Sequence, residues 1–352
     1  MDVLDCRRGV FVACVLSWGC DHRPEHTDVP EASSGLGDAF EPLACRPGHR
    51  PEELLPTDAM IVAGYDAARE RRFAPRVTAS KAKGPRSVLP GEFELLRMAW
   101  ISTAAACELD DGFWGQAWGA IDSEEEVVVI VSGDGVGDED NLRCIADRLH
   151  VAEIELVDEV SFHPDGCGVR FDVDDMTGFA PHRDLFVLGT EGGVRRARAA
   201  WNRRHHQPPE RLMPKRRSKT YAWAAADVDM FLHGADTFDS EEARTFSNIR
   251  VVTAEATLGR RFGFEVGAGF GSERDARGAE AVVQAWIDAP PPEVPPWGRR
   301  LLSAVELSRD GATVNAGLSF SRKDAHDAGL LPSKAEAAQM PAWAWGLWLL
   351  WL

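Results

Sequence analysis

Two segments constrain the fold of this chain most: 160–173 (VSFHPDGCGVRFDV) and 305–318 (VELSRDGATVNAGL). Each alternates apolar and polar residues around an Asp-Gly pair. That pattern specifies a β-hairpin with one buried face and a tight turn at the glycine. The two align without a gap at an offset of 145 residues. Val160, Phe162, Val169, Phe171 and Val173 then match Val305, Leu307, Val314, Ala316 and Leu318, and Asp165-Gly166 matches Asp310-Gly311.

The residues before each hairpin also correspond in kind. Glu126 to Ser132 (EVVVIVS) predicts a strand, Gly133 to Asn141 an acidic loop, and Leu142 to Leu149 a helix with Leu142, Ile145, Ala146 and Leu149 on one face. In the second copy Arg261 to Phe270 predicts the strand, Gly271 to Arg277 the loop, and Ala279 to Ile287 the helix. Asp140 and Asp275 are expected near the helix starts as caps. Ala59 to Tyr65 and Tyr221 to Phe231 read as β-like openings to each copy, and the first copy carries an extra helix, Glu92 to Cys107. The fold class expected is α+β: two similar units of antiparallel sheet, each strand, helix and β-hairpin, with helices packed on one face. The units span 56–190 and 221–331, side by side or sharing one sheet. A basic linker, 191–220, lies between them, and an apolar Trp-rich tail, 332–352, follows.

The N-terminus reads as an address. Arg7-Arg8 precede the short apolar run Gly9 to Leu16, which ends at Ser17-Trp18-Gly19-Cys20. Positive charge, a short apolar core, a small residue and a cysteine are the layout of a lipoprotein signal, with Cys20 the lipidated residue. The run is shorter than the roughly 20 residues that span a bilayer. Residues 1–20 are therefore expected as signal and 21–55, polar and rich in Pro, Gly and Ser, as a flexible tether. The alternative is a buried N-terminal element of a cytoplasmic protein. Of seven cysteines, Cys6 and Cys14 would leave with the signal and Cys20 would carry lipid. Cys45, Cys107, Cys144 and Cys167 remain, an even number as in disulfide-bonded proteins; the alternative is that they are small buried residues.

In this order (a lipoprotein-like signal, Leu55-Pro56-Thr57-Asp58-Ala59 running into a strand, Cys107-Glu108-Leu109-Asp110, a strand of valines, and a helix carrying Leu142-Arg143-Cys144-Ile145) the chain resembles a loose group of uncharacterised predicted lipoproteins of Gram-negative bacteria. The resemblance implies an envelope location and a pairing of Cys107 with Cys144, which leaves Cys45 with Cys167. It implies no activity.

Candidate chemistry is sparse. Gly133-x-Gly135-x-Gly137 follows a strand and precedes a helix, but its spacing is not that of a nucleotide fingerprint, and Asp134, Asp138, Glu139 and Asp140 would repel a phosphate. Gly267-x-Gly269-x-Gly271 recurs at the matching place, so a shared turn geometry is the better reading. The same acidic run lacks the ligand alternation of a calcium loop. Asp172, Asp174 and Asp175, with Asp227 and Asp229, could supply paired carboxylates, flanked by His163 and His182. The solvent side of half-buried strands explains them as well. No catalytic, cofactor-binding or metal residue is therefore assigned, and no cofactor is expected.

A net charge of -17 excludes a general nucleic-acid binder. One segment departs from it: between Arg195 and Lys219 there are ten basic residues against Glu210 alone. It is read as an exposed linker between the two units, which could dock on the chain's own acidic domains, with an anionic envelope partner as the alternative. The tail Met340 to Leu352 holds four tryptophans and suits a membrane interface or a groove on the folded domains. The function expected is that of a non-enzymatic cell-envelope lipoprotein, its folded domains outside the cytoplasm. It would be held to the membrane by lipid on Cys20, with a binding or assembly role toward a protein or anionic partner. The alternatives are an envelope hydrolase using the Asp and His residues near 163–184, and a cytoplasmic protein.

Overall fold

The structure is a computed structural model that describes residues 41–45, 50–69, 106–109, 113, 115–151, 160–173, 176–203, 208–213, 219–228, 246, 248–258, 261–290, 292, 294 and 296–321. The signal with Cys20, the tether up to residue 40, most of the helix Glu92 to Cys107, Asp174, Asp175, Asp229, His205-His206 and the Trp-rich tail lie outside the described residues.

Twelve strands form one antiparallel sheet. They are β1 (Ala59–Asp66), β2 (Gln116–Asp122), β3 (Val127–Ser132), β4 (Val160–Asp165), β5 (Gly168–Val173), β6 (Met176–His182), β7 (Leu185–Gly189), β8 (Thr220–Asp227), β9 (Ile249–Leu258), β10 (Phe262–Phe270), β11 (Glu306–Asp310) and β12 (Thr313–Phe320). Their order is β11-β12-β10-β9-β8-β1-β2-β3-β7-β6-β5-β4. The expected halves therefore share one sheet, and the seam is the pairing of β1 with β8, where Gly64 faces Trp223 and Tyr65 faces Ala222. Gly64 also faces Trp118 across β2, and having no Cβ it lets the two indole rings meet above it at 5.4 Å. A Cβ there would lie 2.5 Å from Trp223 Nε1.

Among the described residues four α-helices accompany the sheet: α1 (Glu139–Val151), α2 (Glu191–Asn202), α3 (Glu273–Asp288) and α4 (Pro296–Leu302). Pleat parity decides which face each covers, because side chains two apart on a strand point the same way. Val131, with Val136 and Ile145, forms a core under α1, flanked by Ala117, Val129 and Phe186. Following the paired residues across the strands, the same face carries Phe270 and Val314, buried under Ala276 and Ala279 of α3. The opposite face carries Val62, Trp118, Ala120, Val128, Ile130, Phe179 and Val187, buried under Val194, Ala197, Ala200 and Trp201 of α2. The expectation of helices on one face is thus corrected: α1 and α3 share one face, and α2 covers the other. The cause is legible in β3, whose VVVIVS run is apolar on both sides and must be covered on both.

The helices also begin earlier than expected. α1 starts at Glu139, capped by Asp138, whose carboxylate accepts the Asp140 N–H, and α3 starts at Glu273, capped by Ser272, whose hydroxyl accepts the Asp275 N–H. Asp140 and Asp275 are the residues being capped, not the caps.

Both Asp-Gly pairs sit in two-residue hairpin turns, with Gly166 at φ 58° and Gly311 at φ 56°, a conformation that favours glycine. The apolar sides of the hairpins face the helices as the alternation requires. Phe162 and Phe171 pack toward Phe186 with Arg143 of α1 over the Phe162 ring, and Leu307 and Val314 pack beneath α3. Their places in the sheet differ. β12 pairs directly with β10, whereas β5 and β4 lie beyond β7 and β6 at the far edge. The hairpin that occupies beside β3 the place of β11–β12 beside β10 is β6–β7.

Segments read as unstructured enter the core. Leu43, Leu54 and Leu55 of the expected tether are 2%, 0% and 0% exposed. The expected basic linker opens with α2 and continues through Leu212, which is also buried. Averaged composition concealed both, because a few leucines among many polar residues are enough to seat a segment on a sheet.

Candidate functional site

The carboxylates and histidines singled out from the sequence do not converge. Asp172 on β5 and Asp227 on β8 are separated by five intervening strands. Asp227 instead pairs with Arg211. On the edge of the sheet, β4, β5 and β6 bring Ser161, His163, Asp172 and Thr177 onto one face. His163 Nε2 lies 3.3 Å from Ser161 Oγ and 3.8 Å from Asp172 Oδ2. A serine-histidine-aspartate relay needs the hydroxyl at one ring nitrogen and the carboxylate at the other. Here both face Nε2, so the carboxylate does not sit at the ring nitrogen opposite the hydroxyl, as the triad arrangement requires. The Asp172 carboxylate is already engaged, accepting from Thr177 Oγ1 at 2.8 Å and from Arg170 at 3.1 Å. His182 has a different setting, on β6 against the Trp201 ring at 5.9 Å. Its Nδ1 accepts the Asp184 N–H at 3.1 Å. Burial lowers its pKa below the ordinary 6.5, against a smaller raising effect of Asp184.

The Gly133–Gly137 loop is a structural joint. Gly133 N–H donates to Asp184 O, Gly137 N–H to Arg183 O and Gly135 N–H to Asp184 Oδ1. A Cβ on Gly137 would lie 2.3 Å from Leu185 O, so glycine permits the close approach of the loop to the β6–β7 turn. The N–H groups of its three glycines are spent on that turn. Gly267 and Gly269 lie inside β10, so the two glycine motifs do not share the one turn geometry expected of them.

Among the described residues, four of the ten basic residues in this segment form ion pairs within the chain. Arg195 pairs with Glu191; Arg196 with Asp58, Asp122 and Glu124; Arg198 with Asp165; Arg211 with Asp227. Asp122 is fully buried, and its other oxygen accepts the Glu124 and Glu126 N–H groups. All but the Arg195–Glu191 pair, which lies within α2, fasten α2 and the turn after it to the sheet and its connecting loops.

The most densely built feature outside the sheet is the strap formed by residues 41–45. It crosses the end of α2 and the β4–β5 turn. Arg198, 4% exposed, holds the Asp165 carboxylate through two nitrogens and donates through Nε to Glu41 O at 2.6 Å. Leu43 N–H donates to Asp165, Ala44 N–H to Asn202 Oδ1, Asn202 Nδ2 to Pro42 O, Trp201 Nε1 to Ala44 O, and Cys167 N–H to Leu43 O. Gly166 touches the strap backbone where a Cβ would lie 2.3 Å from Leu43 O. Cys45 pairs with Cys167 across this contact, Cα atoms 5.1 Å apart. Six hydrogen bonds at about 1 kcal/mol each and the burial of Leu43 at about 2 kcal/mol total about 8 kcal/mol. Ordering five residues costs about 5–10 kcal/mol. The non-covalent terms nearly cancel, so the bridge decides whether the strap stays closed.

The second pair, Cys107 and Cys144, has Cα atoms 5.9 Å apart and ties the chain entering β2 to α1. Both pairs are those expected. Sequence reasoning missed the Arg198–Asp165 ion pair and the Trp118–Trp223 contact. Only the spacing of Val194, Ala197, Ala200 and Trp201, a helical stripe through the arginine-rich run, pointed to α2 and hence to Arg198.

No helix among the described residues is long and apolar enough to cross a membrane. No family model matches the chain, and no curated protein is similar to it. Solved structures of TP0453 superpose with TM-scores of 0.45 (crystal form III) and 0.44 (crystal form I), both at 9% identity. They cover 81% of this chain and 100% and 99% of their own.

Proposed function

We propose that the protein is a lipid-anchored, non-enzymatic component of the cell envelope, its sheet serving a binding or assembly role. The observation that carries this reading is the cysteine pattern. Every described cysteine is in a bridge, Cys45 with Cys167 and Cys107 with Cys144, and the remaining three lie within the first twenty residues. Bridges of this kind persist in oxidising compartments outside the cytoplasm. The chain upstream of the strap supplies a leader with Cys20 at its end. In this reading the strap, residues 41–45, is where the chain that follows Cys20 is fastened to the folded body.

The folded body is two related units joined at β1 and β8. In this reading β1, β2, β3, α1 and the β6–β7 hairpin correspond to β8, β9, β10, α3 and the β11–β12 hairpin. The first unit then adds β4–β5, the hairpin on which the strap closes.

Metabolic labelling with radioactive palmitate tests the reading. Label should enter the wild-type protein and be absent from Cys20→Ala. Equal labelling of both, or of neither, would overturn the lipid anchor.

A further inference from the structure

We propose that Cys45–Cys167 is a substrate bridge for a dithiol oxidoreductase, and that its reduction opens the strap while Cys107–Cys144 stays closed. The two bridges differ in access. Cys45 and Cys167 are both exposed, at the outer edge of the fold beside the β4–β5 turn. Cys107 and Cys144 are each partly buried, with Cys107 packed against the core beneath α1. Thiol–disulfide exchange requires a thiolate to approach along the axis of the sulfur–sulfur bond, so access sets its rate. They also differ in consequence. Opening Cys107–Cys144 leaves α1 held by its own core. Opening Cys45–Cys167 removes the tie that tips a nearly balanced strap toward the closed state.

The chemistry is complete with a Cys-x-x-Cys partner. One partner thiolate attacks one sulfur of the bridge, forming a mixed disulfide and releasing the other sulfur as a thiolate, which takes up a proton. The second partner thiol then attacks the mixed disulfide and loses its proton. The partner leaves oxidised by two electrons, and Cys45 and Cys167 remain as thiols.

The test uses the oxidised full chain. It is incubated with limiting dithiothreitol in one arm and with a reduced thioredoxin-type protein in the other, then quenched with N-ethylmaleimide and mapped by mass spectrometry. Cys45 and Cys167 should be alkylated at least about tenfold faster than Cys107 and Cys144, with a larger ratio in the protein arm. Amide exchange at residues 43–45 should then speed up at least tenfold while α1 keeps its protection. Equal rates, the reverse order, or an unchanged protection of 43–45 after selective reduction would overturn the proposal. None of these outcomes depends on palmitate at Cys20, so the bridge and the anchor stand or fall separately.

Discussion

Removing the Cys45–Cys167 bridge by Cys45→Ala/Cys167→Ala should cost the protein more stability than removing Cys107–Cys144, although the first bridge joins a five-residue strap and the second fastens a helix. The bridges are nested, with sequence separations of 122 and 37. With the inner bridge intact, the path from Cys45 to Cys167 through it is about 85 residues, which the chain-entropy relation converts to about 4.6 kcal/mol at 25 °C. The inner loop gives about 3.8 kcal/mol by the same relation. Both together reach about 8.4 kcal/mol, a large part of the 5–15 kcal/mol total typical of folded proteins. Urea unfolding of the oxidised wild type and of each double-alanine variant measures the two costs. The inner variant keeps an outer loop of 122 residues, worth about 4.9 kcal/mol, so the outer variant should show the larger loss, by about 1.1 kcal/mol, and the variant lacking all four cysteines should be at or past the threshold of folding at 37 °C. A smaller loss for the outer bridge than for the inner one would refute the reasoning. It would mean that loop length does not govern these bridges.

Arg198→Met should destabilise by about 3–5 kcal/mol, because Asp165 keeps a buried charge without its partner. Adding Asp165→Leu should recover part of that loss, and additive costs in a double-mutant cycle by urea unfolding would refute the coupling. Gly64→Ala should cost about 1–3 kcal/mol by driving a methyl into Trp223 at the seam, with an altered near-ultraviolet dichroism from the Trp118–Trp223 pair; an unchanged midpoint would show that the indoles can part. His182, whose pKa is lowered by burial in the folded state, favours the neutral ring there. Its contribution is therefore full above pH 6.5 and is lost as the pH falls below that value and the unfolded chain takes up the proton first. His182→Phe should flatten the fall in urea midpoint between pH 7.5 and 5.5, and an identical pH dependence in wild type and variant would exclude the histidine as its source.

Much of the local structure was legible in the chain. The alternation around Asp165-Gly166 and Asp310-Gly311 specified both hairpins and the faces that their phenylalanines, leucine and valines present, because a period of two leaves only one register in which the apolar set is buried. Ser272 and Asp275, three residues apart before an apolar stripe, also carried the true start of α3, which had been placed six residues late.

Less legible was anything that depends on what lies opposite. The gapless match between 160–173 and 305–318 was a match of hairpin grammar, and hairpins of one grammar can dock at different edges. Nothing in β4–β5 says that β6–β7 will stand between it and β3. Charge misled in the same way. The arginines of 195–211 read as a solvated run because their partners, Glu191 aside, are distant in sequence: Asp58, Asp122, Glu124, Asp165 and Asp227.

By itself, then, the sequence determined β1, β3, β8, β10 and the hairpins β4–β5 and β11–β12, their Asp-Gly turns, the buried faces of those hairpins and the even set of cysteines available for pairing, but not β2, β6, β7 or β9. All of these follow from backbone periodicity, from the left-handed backbone conformation that the turn glycines adopt, and from residue type, which act over a few residues. The tertiary structure alone decided the order of the twelve strands, the two-sided cover of the first half and the closing of residues 41–45 over Asp165, Gly166 and Arg198. Those depend on pairings between residues up to 165 positions apart, Ile61 with Ala226, where shape and charge complementarity act across space and leave no periodic trace along the chain.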